Sequence, residues 1–307
     1  MATVRTTDKQ AAAAQPSAPA PEAGAPSRVA KFDPALHRAK APALDVSQFT
    51  PVALTDGEPV VAQGIDLTGK TKIVFVNGRG KTGKTTFLRW VAERAVLGNR
   101  PFMMADLDPT NASFSSYFDD VSRPNRSDPA GVTAWLHELI EHALSEKVSV
   151  VCDMGGGDTT LRETAAQMPG FAQEIEAMGA APVLLSTVGT QPDDLAAISA
   201  LTSRGFAPKA RGILFNEAAI DLGLSRNEAF AEVFENAITI GELQSGAVPL
   251  WIPRLHAAAA VENRRAYYSD ARDGQTTPPL GLFDRSRVRS WLETMDRRFA
   301  GITSWLP

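Results

Sequence analysis

Gly78-Arg79-Gly80-Lys81-Thr82-Gly83-Lys84-Thr85 fits the pattern G-x-x-x-x-G-K-[ST] at every specified position, and no other stretch of the 307 residues constrains the fold as strongly. Glycines at this spacing let the backbone wrap so that successive N–H groups point inward at phosphate oxygens. The helix that follows adds its positive N-terminal end. Such a loop needs a strand to enter it and a helix to leave it. Lys72-Ile73-Val74-Phe75-Val76 is a short apolar run directly before it, and Phe87, Leu88, Val91 and Ala95 form one helical stripe after it, closed by Gly98-Asn99. In that context the motif predicts a nucleotide site. Lys84 reaches the β- and γ-phosphates and the Thr85 hydroxyl binds Mg²⁺, while Gly78, Gly80, Lys81, Thr82, Gly83 and Thr86 line the loop.

The pattern then alternates. Apolar runs at 102–105, 148–152, 182–187, 211–215 and 247–252 predict strands, and the segments near 130–144, 191–203, 226–236, 256–266 and 285–300 predict helices. Short apolar runs alternating with helices predict an α/β fold, with a mostly parallel sheet covered by helices on both faces. Chemistry in such sheets collects at the carboxyl ends of the strands. Asp106-Leu107-Asp108-Pro109 follows the second strand, and Asp153-Met154-Gly155-Gly156-Gly157-Asp158 follows the third. An aspartate beside a phosphate loop can hold Mg²⁺ through water, which suits Asp153. Asp108 can orient an attacking water. Taken singly, each is more often a turn or cap residue; three sites in the right order at three successive strand ends make the functional reading the better one.

Composition excludes several alternatives. One cysteine, Cys152, leaves no disulfide framework and no multi-cysteine metal site within one chain, and four scattered histidines lack ligand spacing. No apolar run approaches the roughly 18 residues of a membrane span. The start of the chain lacks the apolar stretch of a secretory signal, so the expected address is cytoplasmic. Residues 1–44 hold fourteen alanines and six prolines without a sustained period, which predicts a disordered tail over 1–48 ahead of a single domain over 49–307. The net charge of −4 is uneven: residues 1–44 and 254–307 each carry +3, and the centre carries −10. Basic ends suit anionic partners such as DNA or lipid head groups, and suit ordinary solvated surface equally well.

These motifs in this order resemble the ParA/MinD family of P-loop ATPases, over about Lys72 to Pro253. Members have a K-G-G-x-G-K-T loop, then D-x-D-P, then a strand ending in Asp with a Gly- or Pro-rich switch. The resemblance implies a P-loop NTPase fold of the SIMIBI type. It implies ATP and Mg²⁺ as ligands, and slow hydrolysis stimulated by a protein activator or adaptor. It also implies a homodimer that closes face to face on ATP. On it, Lys84 and Thr85 bind phosphate and Mg²⁺, Asp108 positions water, Asp153 supports the metal, and Asn216 with Pro253 holds adenine. One departure stands out. The family's signature lysine, which reaches the partner's nucleotide, falls at Arg79, and the second of its paired glycines becomes Lys81. A guanidinium binds phosphate oxygens in a forked geometry, so Arg79 is the expected replacement and Lys81 a second candidate. The short interval from Lys84 to Asp153 resembles compact members associated with plasmid transfer, such as VirC-type proteins.

Val288, Trp291, Leu292, Met295, Phe299 and Ile302 recur at helical spacing near the C-terminus. The preferred expectation is a helix packing this stripe on the sheet, with a membrane-binding amphipathic helix as the alternative. Arg264, Arg265, Arg272, Arg285, Arg287 and Arg289 are candidates for non-specific DNA contacts. The leading expectation is therefore a dimerising, Mg²⁺-dependent ATPase acting as a switch in DNA partition or conjugative transfer. A membrane-associated positioning ATPase, a weakly hydrolysing adaptor and a small-molecule P-loop enzyme are the alternatives.

Overall fold

The computed structural model describes residues 57–108, 113–157 and 159–307. The chain divides into two units, Met1–Pro51 and Val52–Pro307, and every described residue lies in the second. The tail expected over 1–48 lies outside the described residues, as do Pro109 and Asp158.

In chain order the elements run β1 (Thr71–Asn77), α1 (Lys84–Leu97), β2 (Phe102–Asp106), β3 (Val121–Ser122), α2 (Pro129–Glu146), β4 (Ser149–Asp153), α3 (Thr160–Gln167) and α4 (Phe171–Ala177). They continue with β5 (Ala180–Val188), α5 (Ala196–Thr202), β6 (Ala210–Asn216), α6 (Arg226–Ala229), α7 (Ala231–Glu235) and α8 (Ala237–Gln244). The last are β7 (Val248–Ile252), α9 (Ala258–Glu262), α10 (Tyr268–Asp273) and α11 (Leu282–Arg298). The strands form one seven-stranded sheet of order β3-β2-β4-β1-β5-β6-β7, and every pairing is parallel. The α/β class read from the sequence holds.

A parallel sheet covered on both faces needs strands that are apolar on both faces, and β1 meets that demand. Val74 and Val76 join a core with Phe87, Leu88 and Val91 of α1 and with Val288, Trp291 and Met295 of α11. Ile73 and Phe75, pointing the other way, join Leu136 and Ile140 of α2, Leu161 of α3 and Phe171 of α4. A smaller cluster around Phe215, Phe230 and Val233 covers the β6 end. Helix α2 shows its local causes plainly: Asp128 caps it by accepting from Gly131 N–H at 2.9 Å, and Pro129 takes the first helical position.

The stripe on α11 is core. Val288, Trp291, Met295, Phe299 and Ile302 are all buried, which bears out the packing expectation. Residues 57–70 precede β1 as an arm without regular structure, held by the 3₁₀ segment Ala300–Trp305. Gly64 N–H donates to Gly301 O at 3.0 Å, and the Trp305 indole N–H donates to Ile65 O at 2.7 Å. A Cβ at Gly64 would run into the Trp305 ring, so only glycine lets the arm lie this close. Among the described residues no helix is long and apolar enough to cross a membrane.

Candidate functional site

The chain crosses from β1 to β2 over β4, and from β4 to β5 over β1. The sheet order therefore reverses at β1, and the crevice beyond its carboxyl end is where parallel sheets place ligands. Residues 78–83 fill that position. Gly78 (φ 137°), Lys81 (φ 70°) and Gly83 (φ 98°) take left-handed backbone that folds the loop back on itself. A Cβ at Gly78 would collide with Thr187, and one at Gly83 would lie 2.5 Å from Asn216 Nδ2, so the two glycines are needed for space as well as for φ. Two neighbouring strands brace the loop. The Thr82 hydroxyl donates to Arg79 O and lies 2.7 Å from the Thr187 hydroxyl at the end of β5. Asn216 at the end of β6 donates to Thr82 O at 3.0 Å. No acidic residue occupies the first turn of α1, and no side chain caps it, so its N–H groups keep their positive end toward the loop.

Lys84 folds over its own loop. Its ammonium donates to Gly78 O at 2.9 Å and Arg79 O at 3.4 Å. Burial lowers its pKa from the ordinary lysine range, opposed by the charges of Asp153 and Asp108. Those two carboxylates therefore share one electrostatic neighbourhood with Lys84. Asp153 is 2% exposed and accepts from Gly155 N–H at 3.1 Å. Burial pushes its carboxyl up to about 6 against the pull of Gly155 N–H and Lys84, with Asp106 and Asp108 adding repulsion. Gly155 (φ 69°) lies so near Asp108 that a Cβ would meet its Cγ at 3.1 Å, and a Cβ at Gly156 would lie 2.9 Å from Gly80 N. The glycine run after β4 thus touches both Asp108 and the loop, the two places where a bound phosphate would act.

Sequence reasoning assigned no role to Asp106, although it lies in the motif quoted for Asp108. It is 1% exposed, stands directly across from Asp153 in the β2–β4 register, and accepts from Asp108 N–H at 3.1 Å and Ser115 N–H at 3.0 Å. It shapes the turn that carries Asp108. Ser113, whose hydroxyl is 2.7 Å from that of Thr85, was also missed, as was Thr187. The readable signal was a polar residue closing an otherwise apolar strand, at Asp106 and Thr187 alike.

Among the described residues no cluster of three or more His, Cys, Asp or Glu could hold a metal by itself. Of the two residues expected to hold Mg²⁺, Thr85 has its hydroxyl 2.7 Å from that of Ser113, and Asp153 is buried at the end of β4. Glycines that cannot bear a Cβ, a lysine turned onto loop carbonyls and a helix end without an acid together suit a triphosphate.

Arg79 points elsewhere. Its guanidinium lies 3.8 Å from Asp193 and 3.9 Å from Asp194, on the 3₁₀ turn Pro192–Leu195 after β5. Asp194 is itself fixed by Gly189 N–H at 2.9 Å. A cavity of about 380 Å³ opens here, lined by Gly78, Arg79, Gly156, Arg162, Asp193 and Asp194. Lys81 is exposed, and Thr86 faces α10, with its carbonyl 3.4 Å from the Tyr268 hydroxyl. Asn216 is buried, with Nδ2 on Thr82 O and Oδ1 accepting from Ala218 N–H. Pro253 follows β7, and its carbonyl accepts from the Trp291 indole N–H at 2.8 Å. Of the C-terminal arginines, Arg272 pairs with Asp273 and Arg287 with Asp284, while Arg264 and Arg285 donate to backbone carbonyls.

No family model matches the chain, and no curated protein matches it. Among solved structures, chloroplast FtsY from Physcomitrella patens aligns at 12% identity with a TM-score of 0.41, over 79% of this chain and 70% of that one. FtsY from Thermotoga maritima aligns at 13% identity and 0.41, over 75% and 71%. FtsY from Mycoplasma mycoides aligns at 14% and 0.38, over 77% and 70%. Likenesses at these identities, with TM-scores below 0.5, carry neither ligand nor activity across to this chain.

Proposed function

We propose that this chain is a Mg²⁺-dependent ATPase that works as a dimerising nucleotide switch on DNA, in plasmid partition or conjugative transfer. The observation that supports it most is the convergence of Lys84, Asp108 and Asp153 beside a braced phosphate loop at the carboxyl ends of β1, β2 and β4. The ATP, dimer and DNA parts of the proposal rest on the sequence resemblance to ParA/MinD proteins.

The reaction is ATP + H₂O → ADP + phosphate. Phosphoryl transfer asks little covalent chemistry of a protein and much positioning and charge neutralisation. The loop N–H groups and Lys84 hold and neutralise the β- and γ-phosphates. Asp108 accepts a hydrogen bond from the attacking water and so aims it. Thr85 and Asp153 hold Mg²⁺, which when bound neutralises charge on the phosphate oxygens. The Gly155–Gly157 run, lying against both Asp108 and Gly80, senses the γ-phosphate and relaxes once it leaves. Arg79 leaves its aspartates to reach phosphate across the dimer.

The test is binding to non-specific duplex DNA with ATP, with ADP and without nucleotide, at two salt concentrations, with Lys84→Ala alongside. Salt-sensitive binding only with ATP, lost in Lys84→Ala, is the expected result. No DNA binding in any state overturns the DNA role.

The cavity beside Arg79 favours a second reading, a P-loop enzyme acting on a small polar acceptor seated between Arg162 and Asp193. Release of phosphate from ATP without any acceptor, however slow, separates the switch from this alternative.

A further inference from the structure

We infer that α11 and the arm before β1 act as positioning elements for the nucleoside end of the ligand: Trp291 and Arg298 fix the two loops that flank it, and Glu58 fixes Arg298. The inference rests on the nucleotide reading above and adds residues that neither the motifs nor the resemblance touch.

The direction of the ligand follows from the acids. Asp108 and Asp153 lie on the β2–β4 side of the loop, so the γ-phosphate end belongs there and the nucleoside end leaves toward β6 and β7. Two loops stand on that side, 216–220 after β6 and 253–255 after β7. They are bolted to each other, because Arg254 donates to the carbonyls of Glu217, Ala218 and Ile220. Both are also tied to α11. Trp291 donates to Pro253 O at 2.8 Å, in the second loop. Arg298 donates to the Glu217 carboxylate at 2.8 Å, in the first. Asn216, next to Glu217, holds Thr82 of the phosphate loop.

Arg298 has a side chain only 7% exposed and two acidic partners, Glu217 and Glu58 at 2.8 Å. Glu217 in turn pairs with Arg226 at 3.0 Å, and Arg226 donates to Gly57 O at 3.2 Å. The four charges form a ring that starts and ends on the arm: Gly57–Glu58, Arg298, Glu217, Arg226. Glu58 also pairs with Arg297 at 3.1 Å, so two acids serve three bases. Removing the Glu58 charge leaves Glu217, already paired with Arg226, to balance a nearly buried guanidinium that has lost its other acid, and Arg298 shifts toward it. Glu217 moves with it, and the backbone it shares with Asn216 follows. The arm is therefore joined directly to the nucleoside side of the site, and reaches the phosphate loop only at second hand, through the Asn216–Thr82 bond.

That asymmetry gives the test. Affinities of the full chain for ATP and for inorganic tripolyphosphate, which has no nucleoside, are measured with Mg²⁺ by calorimetry, for the wild type, Glu58→Gln and Trp291→Phe. Glu58 is about half exposed, so Glu58→Gln folds. The expected result is ATP weakened about five- to tenfold in each variant with tripolyphosphate unchanged, the size of an ordinary coupling between sites. Glu58→Asp restores part of the ATP affinity. A variant that loses melting temperature but keeps the wild-type ratio of the two affinities has a structural role only, and overturns the inference. Equal loss for both probes overturns it too. A wild type that binds neither probe fails at the nucleotide reading itself, which these outcomes keep distinct.

Discussion

Asn216 donates its carboxamide N–H to Thr82 O, joining the end of β6 to a loop 134 positions earlier, and it does so across the face of Gly83. A methyl on Gly83 would sit 2.5 Å from that same Nδ2 and would also have to accept φ 98°. Gly83→Ala should therefore displace Asn216 and weaken nucleotide binding by at least tenfold. Asn216→Ala removes one of the two penalties, the clash, but leaves the left-handed backbone. In a double-mutant cycle on melting temperature and ATP affinity, the two substitutions should be less than additive, with a coupling of about 0.5–3 kcal/mol. Strict additivity would separate the two residues energetically.

Arg79 is 56% exposed, and its distances to Asp193 and Asp194 are long for ion pairs. Pairs of that kind stabilise a fold by about 0–1 kcal/mol. Arg79→Ala should leave the melting temperature of the ligand-free protein within ~2 °C of wild type. If Arg79 neutralises phosphate, its loss should lower ATP turnover by tenfold or more, with Arg79→Lys recovering part of it. Turnover unchanged in Arg79→Ala would move the role to Lys81.

The strands were legible because each needs an unbroken apolar run to be buried on both faces, and 148–152 or 211–215 can be little else. β3 was not, since Val121-Ser122 is two residues long and owes its pairing to Met104 and Ala105 of β2. Helices α3 and α4 were also missed: Thr160–Gln167 presents only a short buried face through Leu161, Thr164 and Ala165, and Gly170 in left-handed backbone separates it from the next turn. The predicted helix at 191–203 is a 3₁₀ turn followed by α5, because Pro192 opens it and Asp194 turns back to cap Gly189. At the site, the loop, Asp108 and Asp153 were readable as spacing. The Glu58–Arg298–Glu217 chain was not, because its members lie 240 and 81 positions apart and only the tertiary fold brings them together.

Glu93 carries the clearest pH signal outside the site. It lies buried on α1 and accepts from Tyr268 N–H at 2.8 Å and Ser269 N–H at 3.0 Å, so it caps α10. Burial raises its carboxyl from 4.5 to about 7, against the opposite pull of those two N–H groups and of Arg89. A group raised in the folded state contributes stability that is full below its unfolded value, near 4.5, and is lost as pH rises through about 7. At about 1.36 kcal/mol per pKa unit the ceiling is roughly 3 kcal/mol. Melting temperatures should fall between about pH 4.5 and 7 in the wild type, level off above that, and fall less in Glu93→Gln. Parallel profiles for the two proteins would remove Glu93 as the cause.

Phe299 decides what the C-terminal aromatic stripe is for. Its ring packs against Phe87 at 5.2 Å and Trp90 at 5.1 Å between ring centres, both on α1 directly behind the phosphate loop. A stripe that completes this cluster cannot also lie in a bilayer unless α11 leaves the sheet, which would break the Arg298 pairs and expose the α1 face together. Truncation of a buried phenylalanine costs about 3–5 kcal/mol, so Phe299→Ala should lower the melting temperature by many degrees. The wild type, with ATP and Mg²⁺, should not co-sediment with phosphatidylglycerol-rich vesicles. Co-sedimentation of the wild type that Phe299→Ala abolishes without a matching loss of stability would assign the stripe to the membrane instead. A large stability loss with no vesicle binding in either protein places it in the core, where it supports α1 and, through α1, the loop that holds Lys84.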